Sequence, residues 1–385
     1  MRRYYVYALL NGLQFTWTTW LTFVVAHGGN PGWAEAAYHM AILLGEVPTG
    51  VVADLMGRRI SMLVGLALGA LGPLGYFFIH DTFTACLVLG FSGLAGTFLS
   101  GADAALTYET AAEQGGADFA RKVMARMMAL SMAASAVSPV IAGFLYQWNP
   151  TAPFLGKTIM SLLTLVVVLG MKEQRPAVQE MAGGEGRVSP FRQTAEAFKV
   201  LRTNRIAWVL IVFGWVYNTG AAMTGQFAMA YFPFMGLTMG AAGIAFGVAQ
   251  VTSTGGSALS ERLTGAAADR FLRFGPLFIA TCYLAMGLAG AWHGGLLVAL
   301  LGAGALVLAQ GTDGVIYPAY QARFNETIPS AQRATILSMQ SMGFSLLMSA
   351  SFPAASYLPI PAIYLTTGAV ALVLAVIWMV RRWSY

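Results

Sequence analysis

Apolar residues run along this chain in stretches of about twenty, and short breaks rich in charged residues, glycine or proline separate them. About 20 mostly apolar residues are needed for an α-helix to cross the hydrocarbon core of a bilayer. The pattern therefore predicts twelve spanning helices. These predicted spans cover residues 4–26, 33–53, 59–79, 83–107, 124–146, 152–171, 205–230, 239–266, 275–291, 295–321, 333–356 and 359–380.

The connections between the spans alternate in character. A first set of connections is basic and mostly longer, and it comprises residues 54–58, 108–123, 172–204, 267–274 and 322–332. A second set is short and nearly uncharged, and it comprises residues 27–32, 80–82, 147–151, 231–238 and 292–294. With both chain ends and the adjoining ends of the spans added to the first set, 21 of the 22 lysines and arginines lie on one side, and the exception is Lys157. Because basic connections stay on the cytoplasmic side, both termini are predicted to be cytoplasmic. No small-residue cleavage site follows the first apolar run, so we expect it to be a retained helix.

Composition supports the same class of protein. The 385 residues are 57% hydrophobic and only 10% charged, with a mean hydropathy of +0.65, whereas a soluble domain carries about 25% charged residues. The chain is thus predicted to be a multi-pass protein of the inner or plasma membrane, with the lipid bilayer as a partner. The net charge of +6 does not indicate nucleic-acid binding, because the basic residues recur at alternate connections rather than in one stripe.

The chain repeats itself. A shift of 215 residues aligns Glu46, Gly50, Asp54 and Arg58 with Glu261, Gly265, Asp269 and Arg273, and a shift of 210 aligns Asp103 with Asp313. The segment 172–204 is the only long polar stretch and separates the two copies. The sequence therefore predicts a first six-helix bundle over 1–171, a cytoplasmic linker over 172–204, and a second bundle over 205–385.

A turn between the second and third predicted spans carries the sequence Gly50-x-x-x-Asp54-x-x-Gly57-Arg58-Arg59. It resembles the loop between helices 2 and 3 of the major facilitator superfamily. The resemblance extends over the whole chain through the helix count, the central linker and the repeat. It implies an all-α fold of twelve helices in two pseudo-symmetric bundles, alternating access about a midplane cavity, and a monomer that moves a small-molecule substrate.

Looser matches resemble bacterial drug-efflux members that exchange substrate for protons. Residues 134–143 look like a degenerate form of the antiporter motif in helix 5, and Glu46-x-Pro48-Thr49-Gly50 and Ser100-Gly101-x-Asp103 resemble the same branch. The arginine that those exporters often carry in helix 4 is absent from residues 88–93. This resemblance implies proton-coupled export of small amphipathic or drug-like compounds. Import of a nutrient or metal complex on the same fold stays open.

Carboxylates inside membrane spans are costly, at about 2.5–3.5 kcal/mol on insertion scales, so each is a functional hypothesis. Asp103 and Asp313 are interpreted as the site that carries the proton or binds the substrate. The alternative is a helix-end carboxylate bonded to nearby backbone. Polar and aromatic residues of the spans that would line the cavity are predicted to accompany them: Asn11, Gln14, Trp17, Asn218, Gln226, Gln310 and Tyr317.

The duplicated motif is interpreted as the gate at the cytoplasmic edge. Glu46 and Glu261 are predicted to pair with arginines, for which the candidates are Arg121, Arg126, Arg262 and Arg333. By resemblance to the family, the other gating residues are Gly50, Asp54, Gly57, Arg58, Arg59, Gly265, Asp269 and Arg273. Glu35 and His39 share one helix face at i, i+4, and we favour an interfacial pair over a proton relay. Lys157 is predicted to snorkel to the outer interface.

Enzyme chemistry finds no support in the sequence. It contains no Gly-x-Ser-x-Gly, no phosphate-binding loop and no His-Glu-x-x-His, so we predict neither an enzyme nor a cofactor. The 20 methionines do not pair with Cys or His in a metal-binding pattern, and Cys86 and Cys282 lie in apolar runs, so no metal site is predicted. One alternative from another class remains, a non-transporting membrane sensor or scaffold that acts through residues 172–204.

Overall fold

A computed structural model describes residues 1–172, 202, 204–263, 266–292, 294–329 and 332–380. Within these ranges the secondary structure is helical, with no strand, which confirms the predicted all-α class. Most of the predicted linker 172–204 lies outside the described residues, so the linker and the bundle boundaries that depend on it stay predictions.

Thirteen α-helices occur in the described part of the chain. They are α1 (Arg2–Gly12), α2 (Phe15–Ala26), α3 (Pro31–Met56), α4 (Arg58–Gly75), α5 (Thr82–Thr97), α6 (Ala102–Trp148), α7 (Ala152–Leu169), α8 (Arg205–Phe234), α9 (Met239–Ser260), α10 (Ala266–Trp292), α11 (Gly295–Thr327), α12 (Arg333–Ser356) and α13 (Ile360–Val380). Eight segments of the described residues are long and apolar enough to cross a membrane, and one of them runs over 67 residues from Thr82 to Trp148. The chain is therefore a multi-pass membrane protein.

Two predicted spans are divided, and one predicted connection is helical. The first span breaks at Leu13 and Gln14, between α1 and α2, and the fourth breaks between α5 and α6. The predicted connection at residues 108–123 lies within α6 and is helical apart from Gly115 and Gly116. Its polar, alanine-rich sequence still favours helix. The chain changes direction inside α6 at Gly115 and Gly116, where Gly116 has φ 77°, a value that side chains with a Cβ rarely adopt.

In two short connections outside the spans, a polar side chain caps the first turn of the helix that follows. Asp81 begins α5 with a capping box, in which its carboxylate accepts the backbone N–H of Thr84 at 2.7 Å and the Thr84 hydroxyl oxygen accepts the backbone N–H of Asp81 at 3.2 Å. The backbone N–H of Thr84 is the main cause that lowers the pKa of the exposed Asp81 carboxyl. Asn30 caps α3 by accepting the N–H groups of Gly32 and Trp33.

The chain divides into two compact units. The first holds residues 1–185 with 349–356, and the second holds 186–348 with 357–385. In the first unit α3 packs along α5, α4 packs along α7, and α1 packs along α6. The α3–α5 contact is close because Gly93 faces the backbone of Tyr38: a Cβ at Gly93 would lie 2.4 Å from the Tyr38 carbonyl oxygen.

The second unit repeats this pairing. Helix α9 packs along α11 and α10 packs along α13, as α3 with α5 and α4 with α7 do in the first unit. Glycines again sit at the closest approach, since a Cβ at Gly256 would lie 2.3 Å from the carbonyl oxygen of Gly311. Small residues of this kind let membrane helices pack backbone to backbone. The two units thus share one internal arrangement, as the sequence repeat predicts.

Candidate functional site

Asp103 lies in the first turn of α6, just after the break that ends the α5 segment. Its Oδ1 accepts the backbone N–H of Ala104 at 2.7 Å, and its Oδ2 accepts the hydroxyl of Tyr7 at 3.1 Å. The bond to the Ala104 backbone agrees with the helix-end interpretation. The bond to Tyr7 agrees with the functional one. Tyr7 is only 2% exposed, so the second oxygen of the carboxylate bonds to a buried phenol.

Hydrogen bonds continue from Asp103 to the break in the first span. The side-chain amide of Asn11 donates to the Tyr7 hydroxyl at 3.5 Å. The side-chain amide of Gln14 donates to the Asn11 carbonyl oxygen at 2.7 Å, which satisfies a backbone group left open where α1 ends. Asn11, Tyr7 and Asp103 form a chain that we name the Asp103 relay.

The Asp103 relay ends at a cavity of about 400 Å³ in the first unit. Three predicted site residues line it: Asn11, Gln14 and Trp17. Side chains that the sequence analysis assigned elsewhere or did not single out also line it: Glu35, Tyr38, Tyr76 and Lys157. The volume falls within the usual range of about 300–1,000 Å³ for small-molecule sites. The walls combine aromatic rings with a few polar and charged groups.

A second carboxylate–phenol pair lies in the other unit. The hydroxyl of Tyr217, on α8, donates to Asp313 Oδ1, on α11, at 2.5 Å. Tyr217 and Asp313 follow Tyr7 and Asp103 by the same 210 residues, so the two pairs are repeat equivalents. Sequence reasoning missed Tyr7. The signal that could have found it is the shift of 210, which aligns the two tyrosines as well as the two aspartates.

The remaining predicted residues of the second half differ in exposure and do not line the small cavity beside Tyr217. Tyr217 borders a small cavity of about 30 Å³, which Asn218, Gln226, Gln310 and Tyr317 do not line. Gln226 is buried, Asn218 and Gln310 are half-buried, and Tyr317 is exposed. The Tyr317 hydroxyl accepts the side-chain amide of Gln321 at 2.8 Å. Asp313 contacts Tyr217, and all of these residues stay predictions as members of a site.

Three residues lie inside the first unit: Glu35, His39 and Lys157. The imidazole Nε2 of His39 lies 3.4 Å from Glu35 Oε1, and the two residues are 6% and 2% exposed. This pair is therefore buried in the first unit rather than interfacial as predicted. Lys157 does not snorkel to the outer interface, because its side chain lies on the cavity wall. Among the described residues, no group of three or more His, Cys, Asp or Glu lies close enough to hold a metal ion.

The signature turn joins α3 to α4 through Gly57, whose φ of 101° suits glycine. Arg58 forms an ion pair with Glu109 on α6. Arg59 donates to the carbonyl oxygens of Val168, at 3.2 Å, and Leu169. These are the last carbonyls of α7, where a cation also favours the helix dipole. The turn therefore fastens α3 and α4 to two other helices of its own unit.

The predicted glutamate–arginine pairs of the gate are not present among the described residues. The Glu46 and Glu261 side chains form no ion pair there, and Arg121 instead pairs with Asp118 at 3.1 Å. Gly50 has open space around it, and Asp269 is exposed. The Arg273 guanidinium lies 5.5 Å from the ring centroid of Phe274. Gly265 and the side chain of Asp54 lie outside what the structure describes.

We expect the Arg58–Glu109 pair to contribute little stability, since 45% of the Glu109 side chain is exposed. A double-mutant cycle with Arg58→Gln and Glu109→Gln, followed by equilibrium unfolding in mixed micelles, is expected to give a coupling energy of about 0.2–1 kcal/mol. The matched control is the Asp118–Arg121 pair, whose side chains are 86% and 79% exposed and whose coupling is expected to be near zero. A coupling well above that range would instead make this pair a main support of the unit.

Comparisons with known proteins agree with this architecture. No curated protein matches the sequence. Among solved structures, the nucleoside transporter NupG is similar with a TM-score of 0.77, 13% identity and 100% of both chains covered. A D-xylose-proton symporter gives 0.76 and 12%, with 98% of this chain and 96% of that chain covered. A peptide transporter POT in complex with sulfate gives 0.74 and 14%, with 98% and 93% covered.

At these identities the structural likeness concerns the fold alone. A family model described as Major Facilitator Superfamily matches residues 8–353 of the sequence. That match contains the signature turn, Asp103, the Tyr217–Asp313 pair and the lining residues of the cavity of the first unit. The chain therefore belongs to the Major Facilitator Superfamily of membrane transporters.

Proposed function

We propose that this protein is a proton-coupled secondary transporter that exports small amphipathic or drug-like compounds by alternating access. It acts as a monomer in the inner or plasma membrane with both termini in the cytoplasm. The observation that supports proton coupling is the pair of repeat-related contacts, Tyr7 with Asp103 and Tyr217 with Asp313. A half-buried carboxylate in each half gives the transporter two groups that can bind and release a proton within its spans.

The Asp103 relay connects protonation to substrate binding. An ionised carboxylate only accepts hydrogen bonds, whereas a protonated one also donates. When Asp103 is ionised, it accepts a hydrogen bond from the Tyr7 hydroxyl, and the Tyr7 oxygen accepts a hydrogen bond from the Asn11 side-chain amide. Once protonated, Asp103 can donate to the Tyr7 oxygen and displace that amide toward the cavity. Proton binding at Asp103 thereby changes the polar surface that a substrate meets at Asn11.

Gating follows from the duplicated motif and the family resemblance. Arg58 and Arg59 hold the first signature turn to α6 and α7, so movement of that turn carries other helices of the unit with it. We assign Glu46, Gly50, Asp54 and Gly57 to the same gate, and assign Glu261, Gly265, Asp269 and Arg273 to its repeat. Export rather than import rests on the efflux-like segments at 46–50, 100–103 and 134–143.

Proteoliposomes that contain the pH dye pyranine test this proposal. An exporter that exchanges substrate for protons is expected to alkalinise the lumen when an amphipathic compound is added outside, because each entering molecule drives protons out. Protein-free liposomes control for passive permeation. Acidification of the lumen would favour the second candidate, proton-coupled import, which the shared fold with a D-xylose-proton symporter makes worth testing. Transport that is indifferent to pH would contradict proton coupling.

A further inference from the structure

Lys157 is a cation on the wall of the first-unit cavity. It lies on α7 and faces the same space as Trp17 and Trp20 of α2 and Tyr38 of α3. Trp17 is 48% exposed, so its indole offers a large free surface, while Trp20 is 4% exposed and forms part of the wall. The cavity therefore brings one ammonium group and several aromatic rings together in about 400 Å³.

The Lys157 ammonium has no protein partner among the described residues. It forms neither an ion pair nor a hydrogen bond there. The nearby acidic candidate, Glu35, borders the same cavity but lies against His39 on its own helix. A charged side chain in a membrane span is costly unless something compensates it. A lysine held toward an internal cavity without an acidic partner is suited to meet an anionic group on a ligand.

Neighbouring groups restrict which anion fits. Ser161, one turn further along α7, and Gln14, at the break between α1 and α2, add uncharged hydrogen-bonding groups to the same wall. Among the described residues that line this cavity, Lys157 is the only cation, and Glu35 contributes an acidic group. One positive charge beside one acidic group suits a monoanion better than a phosphate or another dianion. The aromatic walls suit a ring on the same molecule.

We propose that Lys157 is the anion-binding residue of the transport site and that the substrates are aromatic monocarboxylates. This inference rests on the proposed function, since it assigns the substrate class of the cavity at the end of the Asp103 relay. The carboxylate would accept from the Lys157 ammonium while the ring lies against the tryptophan and tyrosine walls. The amphipathic compound is then an organic acid with an apolar body.

Binding of matched acid and amide pairs tests this assignment. We name three pairs, measured by calorimetry on the purified protein: 3-phenylpropanoate with 3-phenylpropanamide, indole-3-acetate with indole-3-acetamide, and 2-naphthoate with 2-naphthamide. At least one acid is expected to bind about tenfold or more tightly than its amide, because a hydrogen bond to a charged group is stronger than a neutral one. Lys157→Met is expected to remove this preference, and Lys157→Arg to retain part of it.

Lys122→Met is the matched control, since Lys122 is exposed on α6 and outside the cavity. Loss of folding is not expected to confuse the result, because methionine fits an apolar cavity without the cost of a buried charge, and Lys157→Met is expected to unfold at the same or a higher temperature. The proposal fails if no acid binds better than its amide, or if Lys157→Met keeps the preference.

The two proposals can fail separately. Binding of an acid that depends on Lys157, without any proton movement in pyranine-loaded liposomes, would retain the substrate class and overturn proton coupling. Proton movement driven equally by acids and amides, and unchanged in Lys157→Met, would retain coupling and overturn the role of Lys157. Absence of binding by all six compounds would also overturn the substrate class proposed here.

Discussion

Replacing Asp103 by asparagine is expected to abolish substrate-driven proton movement, reducing the pyranine signal to that of protein-free liposomes. The reason is chemical, because asparagine has nearly the same shape and can still accept the Tyr7 hydroxyl, but it cannot bind or release a proton. The Asp103 relay would stay in one state. Substrate binding is expected to persist, so the variant separates coupling from recognition.

Matched variants make the result specific. Asp118→Asn changes an exposed aspartate on the same helix that pairs with Arg121, and it is expected to couple like the wild type. Tyr7→Phe keeps the carboxylate but removes its buried donor, and we expect slowed coupling with an altered pH dependence. Undiminished proton movement in Asp103→Asn would remove Asp103 from the mechanism. The same measurement on Asp313→Asn then decides whether the second pair carries the proton.

Much of the fold could be predicted because membrane spans obey one strong rule. A run of about 20 apolar residues must form a helix, since the bilayer offers no other partner for its backbone. The helical connection 108–123 could not be predicted in this way, because its polar residues resemble a loop in composition. There the intrinsic preference of alanine-rich sequence for helix decided the outcome, and glycines at 115 and 116 supplied the bend.

The site was predictable only where the repeat marks it. Asp103 and Asp313 could be selected because charge is rare in spans and the two align at one shift. The repeat also aligns Tyr7 with Tyr217, but their contacts with the aspartates come from the packing of α1 on α6 and of α8 on α11, which a hydropathy pattern does not give. Lys157 was misplaced for the same reason. A long cationic side chain near a span end can point toward the interface or toward a cavity, and only the neighbouring helices decide.

The signature turn shows a similar limit. Its position, its glycine and its basic pair were predicted, and α3 and α4 do meet at Gly57. Their contact partners were not predicted. Arg58 contacts Glu109, and Arg59 contacts the end of α7. A sequence motif specifies which residues stand at a turn. It does not specify which helix ends pack beside that turn.

Gly314→Ala is expected to cause the largest loss of stability among single substitutions of this kind. A Cβ at Gly314 would lie 2.0 Å from the carbonyl oxygen of Ser253, and this obstacle is backbone that no rotamer change can move. Helices α9 and α11 would have to separate, which also stretches the hydrogen bond of 3.1 Å from the Ser257 hydroxyl to the Gly314 carbonyl. Overpacking of this kind costs about 1–3 kcal/mol or more.

The substitution also bears on function, because Gly314 follows Asp313 directly. Separation of α11 from α9 would shift Asp313 relative to Tyr217, so we expect reduced thermal stability together with weakened coupling. Gly304→Ala is the matched control, since Gly304 lies on the same helix with open space around it and alanine favours helix over glycine by about 0.8–1 kcal/mol. Thermal unfolding in detergent is expected to fall for Gly314→Ala and to stay level or rise for Gly304→Ala. Equal melting temperatures for the two variants would show that α9 and α11 can separate without cost, and the close glycine contact would then not be what positions Asp313.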